Sequence, residues 1–324
     1  MNNVLSDWLL VIGGPTASGK SALALALAEK LALEGMGGAI INADSMQIYR
    51  GLPILTAQPC AADLARAPHL LYGALDIAET CSAGRWLEMA TAAIAEARAQ
   101  GRLPIVVGGT GLYLRSLTGG LAPIPPIPEA VRAATRARLA EIGPAAFHGE
   151  LAARDPEMAA RLRPSDSQRL SRAAEVLAAT GRSLADWQRD AAPPPVEGRI
   201  RTILLSPPRG ELYAACDARF AAMLAQGALE EAAGVAARIE AEALVDSLPA
   251  LKTLGLRELI AFSKGSLDLA GATAAAQQAT RNYAKRQTTW FRGQFLAGYT
   301  VDEKLNERSV TDSAKKIIDW LLTP

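Results

Sequence analysis

With 324 residues the chain is long enough to bury a substantial core, as one elaborated domain or as two. Half of the residues are hydrophobic and the net charge is only +1, so any basic surface must come from local segregation of charge. Cys60, Cys81 and Cys216 are odd in number and far apart, which suggests no disulfide framework and fits a reducing cytoplasm. With only His69 and His148, and neither CxxC nor HExxH, a histidine-based metal site is not expected. The opening MNNVLSDW lacks the basic start and long apolar stretch of a signal peptide, and no apolar run is long enough to span a bilayer. A cytoplasmic protein with no membrane contact is the expectation.

The first apolar run, Trp8–Ile12, predicts a buried strand. Gly14, Pro15, Thr16, Ala17, Ser18, Gly19, Lys20 and Ser21 follow it and match the GxxxxGK[ST] phosphate loop, immediately before a helix predicted over Ser21–Leu33. Glycines let the backbone curl so that its N–H groups face an anion, and the helix adds its positive end. Lys20 brings a mobile charge, and the Ser21 hydroxyl suits Mg2+. The loop alone does not distinguish phosphoryl transfer from departure of a diphosphate.

A second strand, Ala39–Ile41, leads into Asn42-Ala43-Asp44-Ser45-Met46-Gln47-Ile48-Tyr49-Arg50. The carboxyl ends of parallel strands face the ligand crevice, so Asp44 is expected near the phosphate loop. There its carboxylate could bind magnesium through water or take a proton from a nucleophile, and Gln47 could read the edge of a base. Alternatively, Asp44 and Ser45 simply cap the following turn. Leu70–Leu75 is a weaker strand candidate, Arg85–Ala99 a helix and Leu103–Val107 another strand. Thr110, in Gly109-Thr110-Gly111, falls at the end of that strand, at the crevice or as a helix cap.

Two proline clusters, 123–128 and 193–195, mark rigid connections. Between them Glu129–Ala191 reads as helical, with breaks near Gly143-Pro144, Asp155-Pro156 and Arg163-Pro164. A strand over Arg201–Leu205 then resumes, and the remainder is helical by pattern, ending in Ser313–Leu322. Strands alternating with helices predict an α/β fold. Its core is a P-loop parallel sheet flanked by helices, with an inserted all-helical domain: residues 1–122 and 201–324 form the core and 123–200 the insert.

GPTASGKS followed by NADSMQIYRGL resembles the opening of the tRNA dimethylallyltransferases, also called tRNA isopentenyltransferases, of the bacterial type without a cysteine–histidine zinc extension. Further matches run along most of the chain: Pro68-His69-Leu70, PIVVGGTGLY over 104–113, DSQRLSR over 166–172 and KRQTTWFR over 285–292. The resemblance implies transfer of a dimethylallyl group from its diphosphate to N6 of the tRNA adenosine at position 37, beside the anticodon, with Mg2+ as cofactor. It implies Asp44, Thr110 and Arg219 as catalytic residues, residues 14–21 as the diphosphate site and Ser21 as the metal-binding residue. It further implies contacts to the anticodon stem-loop from Asp44, Ser45, Met46, Gln47, Thr110, Arg132, Gln168, Arg169, Leu170, Ser171 and Arg172. Lys252, Arg257, Arg281, Lys285, Arg286, Gln287, Trp290 and Arg292 complete that set. On a helix Arg281, Lys285 and Arg292 would share one face toward phosphates. One departure stands out: the family's Arg-x-x-Gly-Tyr-Arg reads Lys252-Thr253-Leu254-Gly255-Leu256-Arg257, so Leu256 replaces a tyrosine that could stack or donate a hydrogen bond. A monomer is expected. The competing readings are a P-loop small-molecule kinase that binds ATP, with the insert as its lid, and an RNA-binding protein that retains a phosphate loop without catalysis.

Overall fold

The computed structural model describes residues 7–190 and 194–322. The opening hexapeptide, Ala191 and Pro193 lie outside the described residues. The chain divides between Thr118 and Gly119 and again between Pro195 and Val196, giving a core unit built from both ends of the sequence and a helical unit between them.

In the core unit β1 (Trp8–Gly13) runs into α1 (Lys20–Leu33), then β2 (Gly38–Asn42), α2 (Ala61–Arg66), β3 (His69–Leu70), α3 (Ala83–Ala99), β4 (Leu103–Gly108) and α4 (Gly111–Gly119). All strands pair in parallel, in the order β3-β2-β4-β1-β5-β6, with the last two strands contributed from beyond the insert. β1, β2 and β4 are buried at every residue, which is why they read as continuous apolar runs rather than alternating ones. Successive side chains nonetheless part to opposite faces. Leu10 and Ile12 pack with Leu23, Leu27 and Ile317, whereas Leu9 and Val11 pack with Trp86, Leu114 and Phe291.

The strand expected over Leu70–Leu75 is only two residues long. Leu71 and Gly73 both take positive φ (65° and 56°), so the chain turns without extending and leaves Leu70 and Leu71 half-buried against the core. Leu75 rejoins the sheet region by bridging to Tyr49.

The helical unit holds α5 (Glu129–Arg154), α6 (Pro156–Arg161), α7 (Ser167–Thr180) and α8 (Leu184–Arg189). α5 is kinked at Gly143 (φ 75°, ψ 165°), because Pro144 pushes the preceding residue out of helical geometry. Asp155 caps α6, whose first residue is Pro156, and Asp166 caps α7, so the other two expected breaks are real helix starts. Gly181 in a left-handed conformation and Ser183 add a fourth break that the proline pattern did not reveal. A separate core of Phe147, Leu151, Met158, Leu170 and Val176 holds the four helices together.

After the insert the core unit resumes with β5 (Arg199–Leu205), α9 (Arg209–Ala225), α10 (Ala228–Ala241), a 3-10 turn at Pro249–Lys252, α11 (Leu256–Ser263), α12 (Leu269–Gln294), β6 (Tyr299–Val301) and α13 (Glu307–Leu322). β6 is three residues on the sheet edge, too short to leave a periodic signal. Among the described residues no helix is long and apolar enough to cross a membrane.

Leu170 corrects one expected RNA contact: it is 0% exposed in the insert's own core, with no side-chain surface to offer. Leu170→Ala is therefore expected to lower stability by about 2–5 kcal/mol in urea denaturation. Unchanged stability with weakened RNA binding would restore it as a contact residue.

Candidate active site

The phosphate loop leaves β1 at Gly13 and enters α1 at Lys20. Ala17 (φ 61°) and Gly19 (φ 97°) both adopt the left-handed region that winds the loop around its centre. Side chains from distant parts of the chain brace it. Gln287 of α12 accepts the Thr16 N–H (2.8 Å) and donates to the Gly109 carbonyl (2.9 Å). Arg219 of α9 donates to the Thr16 hydroxyl. Lys20 Nζ donates back to the Pro15 carbonyl (2.8 Å), and Lys304 Nζ donates to the Ala17 carbonyl (3.2 Å). The buried Ser18 Oγ has no partner.

The carboxylate segment is fixed just as firmly. Buried Asn42, at the end of β2, accepts the Asp44 N–H (2.8 Å) and donates to the Asp44 and Leu71 carbonyls. Asp44 Oδ1 accepts the Met46 N–H (2.9 Å), the turn-capping geometry anticipated as an alternative. Capping and catalysis are compatible, since one carboxylate oxygen makes this contact. Thr110 accepts the Ser45 N–H (2.9 Å) and so ties this segment to the end of β4. That approach needs Gly108: a Cβ there would lie 2.0 Å from the Ala43 carbonyl oxygen. Gln47 spends its amide donor on the Thr56 and Ala57 carbonyls (2.9 and 2.7 Å), which leaves its oxygen for a ligand.

Loop and carboxylate face one cavity of about 360 Å³, walled by Thr16, Lys20, Ser21, Asp44, Gln47, Arg219 and Lys304 among others. Three cations and one carboxylate therefore share a space suited to a polyanion. A smaller adjoining cavity shares Thr16, Asp44, Thr56 and Arg219 and adds the apolar Met46, Leu55, Phe220, Met223 and Leu254, with Tyr283. Asp44 thus stands where an anion pocket meets an apolar one. Ser21 and Asp44 offer hard oxygen donors in the same cavity, and a magnesium ion that also takes phosphate oxygens needs no more from a protein.

The remaining candidates divide. In α12, Lys285, Arg286 and Arg292 are exposed, whereas Arg281 is paired with Asp217 (2.6 Å) of α9, an acid the local sequence does not contain. Gln287, expected to touch RNA, is instead 5% exposed, with both amide atoms committed to backbone. Trp290 is partly buried against the core, its ring pressed on Gly111, where a Cβ would come within 2.4 Å. Lys252 and Arg257 are exposed, but Leu256 is 0% exposed, so at this position the chain has a core residue. Within the helical unit Gln168 and Arg169 are exposed and Arg132 and Arg172 half-buried, while Ser171 turns inward to Glu175 (3.2 Å).

Lys304, Tyr283 and Asn42 escaped sequence reasoning. Lys304 sits between acidic residues in no motif, and Tyr283 was legible only as one aromatic of a basic helix. Asn42 did carry a signal, for an asparagine two residues before an N–H that needs a partner forms an Asx turn.

Burial pushes the Lys20 ammonium down from 10.5 to about 8, with nearby Asp44 opposing and Arg219 assisting. Between these values the unfolded chain holds the extra proton, so this group's cost to stability is full below about pH 8 and fades as pH rises toward 10.5. Anion binding follows the opposite course, because the charge is lost above about pH 8. Calorimetric titration with inorganic pyrophosphate is expected to weaken across that point, by up to about tenfold per pH unit for one linked proton. Lys20→Met should lack this component and report only the ligand's own ionisation; identical slopes in the two proteins would refute it.

The family model described as IPP transferase matches residues 47–294. A tRNA dimethylallyltransferase of Rhodospirillum centenum is 56% identical over 296 residues, 91% of each chain. One of Paramagnetospirillum magneticum is 52% identical over 314 residues, 97% of each chain. Among solved structures, the tRNA isopentenylpyrophosphate transferase of Bacillus halodurans superposes with a TM-score of 0.66 at 29% identity over 97% of each chain. A eukaryotic dimethylallyltransferase captured acting on tRNA gives 0.79 at 25% identity, covering 96% of this chain and 78% of its own. By sequence match over most of its length, the chain belongs to the IPP transferase family.

Proposed function

We propose that this protein transfers the dimethylallyl group of dimethylallyl diphosphate to N6 of the adenosine at position 37 in tRNA and releases diphosphate. The observation that carries the reading is the cavity in which an anion loop and a carboxylate face each other, with an apolar extension beside the carboxylate. Relatives matched over nine-tenths of the chain carry the name of this activity, and none of the observations favours the small-molecule kinase.

The chemistry assigns each group a task. An adenine amino group is a weak nucleophile because its lone pair is delocalised into the ring. As N6 bonds to C1 of the prenyl group, the C1–O bond breaks and the electron pair leaves with the diphosphate. Asp44 takes the proton from N6, so charge does not accumulate on nitrogen. Lys20, Arg219 and Lys304 meet the charge growing on the departing oxygen. Magnesium, when held by Ser21 and the diphosphate oxygens, would add charge compensation at the same place. Thr110 keeps the Asp44 segment in register rather than transferring a proton itself.

Lys285, Arg286 and Arg292 on α12, together with Lys252 and Arg257, supply phosphate contacts to the tRNA. The helical unit adds Arg132, Gln168, Arg169 and Arg172 as a clamp on the anticodon stem-loop. The adenine leaves its stack to reach the cavity, as in other enzymes that act on bases.

Mass spectrometry of tRNA nucleosides after incubation with the protein, dimethylallyl diphosphate and magnesium should detect the prenylated adenosine. Asp44→Ala is expected to bind tRNA normally and to lose about 10²–10⁴-fold in transfer rate. Retention of most of the rate would remove Asp44 as the base. Lys285→Glu with Arg286→Glu should weaken tRNA binding and shallow its salt dependence by about one unit per lost contact, leaving pyrophosphate affinity unchanged.

A further inference from the structure

α12 turns one stripe of residues inward: Ala272, Ala276, Thr280, Ala284, Gln287 and Phe291. Ala and Phe fill space there, and Thr280 caps its own helix turn by donating to Ala276. Gln287 alone among them reaches across to two other elements. Its carbonyl oxygen takes the N–H of Thr16, the residue whose hydroxyl receives Arg219. Its amide N–H goes to Gly109, the residue before Thr110, which in turn holds the segment of Asp44. A Cβ on Gly109 would stand 2.2 Å from the Gln287 nitrogen, so the strand end has no side chain where the amide docks.

From this arrangement we infer that Gln287 is a positioning residue that sets the separation between the anion loop and the proton-accepting carboxylate. This rests on the proposed function and deepens it. Gln287 is buried and lines neither cavity. Its one amide fixes the phosphate loop beyond β1 to the turn beyond β4, where Thr110 holds the Asp44 segment that leaves β2. A transfer reaction with nucleophile, carbon and leaving oxygen in line is sensitive to that separation, and a displacement of about 1 Å costs on the order of 10²-fold. Glutamine satisfies the site because it accepts with one atom and donates with the other. A carboxylate can only accept and would oppose the Gly109 carbonyl, whereas a neutral carboxylic acid does both.

Two variants test it, in the full chain. Gln287→Met keeps the volume and loses both bonds. Its kcat for prenyl transfer should fall about 10–10²-fold, while KM for dimethylallyl diphosphate and tRNA affinity stay within about threefold; amide hydrogen exchange in residues 14–21 should quicken. Gln287→Glu should also lose kcat at about pH 8. Its rate relative to the parent protein should then climb toward about pH 6 as the acid takes up its proton, a recovery that Gln287→Met cannot show. Exchange in 14–21 is read without substrate and so reports on Gln287 independently of the reaction, whereas absence of transfer by the parent protein would count against the proposed function alone. The inference is overturned by a kcat loss that only mirrors the folded fraction, by a flat pH ratio for Gln287→Glu, or by unchanged loop exchange in Gln287→Met.

Discussion

Three parallel strands end side by side in the middle of the sheet, and the space beyond them is set by side chains that are missing. Gly108 lets β4 come against the Ala43 carbonyl, and Gly109 receives the Gln287 amide. At Gly13 a Cβ would meet Phe291 at 2.6 Å, so α12 lies directly over the strand end. Each of these contacts places polar backbone where a side chain would otherwise keep neighbours apart. The anion loop, the Asx turn at Asn42 and the start of α4 are close because nothing larger than hydrogen stands between them. Substituting any of these glycines would shift the whole mouth of the sheet, not one residue.

Around that mouth the charges are arranged against the average of the chain. A molecule of net charge +1 gathers Lys20, Arg219 and Lys304 about one cavity with a single carboxylate among them. Burial makes Lys20 easier to deprotonate, and Asp44 only partly offsets this. A bound polyanion would add negative charge beside Lys20 and favour its protonated form. Elsewhere cations are neutralised locally: Arg281 by Asp217, and Arg238 by Asp76 and Glu242. On α12 Lys285 and Arg292 stay exposed, as does Arg286, which also lies over the Tyr283 ring.

Sequence reasoning reached the parts whose signals are local. Strands buried on both faces announce themselves as apolar runs, the phosphate loop by its spacing, and Asp44 by following a strand. Prolines marked the breaks near Gly143, Asp155 and Arg163, and the capping aspartates Asp155 and Asp166 came to light only in the fold. It failed where partners are distant in sequence. Nothing near Gln287 says that it will meet Thr16, 271 residues away, and nothing near Arg281 says that Asp217 will pair with it. Leu170 and Leu256 lie inside motifs dense in polar residues, yet both complete hydrophobic cores. The short β6 and the turn at Leu71 depend on edge pairing and on an unusual backbone angle, which composition does not encode.

The bracing of the loop also fixes when the site can exist. Gly14–Ser21 is translated before its partners Arg219, Gln287 and Lys304, which follow it by 203 to 287 residues. At ribosomal speeds that interval is roughly 10–60 s. β5, which ends at Leu205, is made before any of these partners, so the neighbour of β1 is available while the loop still lacks its side-chain braces. A nascent chain released before Lys304 therefore carries the signature motif in full without the last of its braces, so the pocket is completed late and in steps.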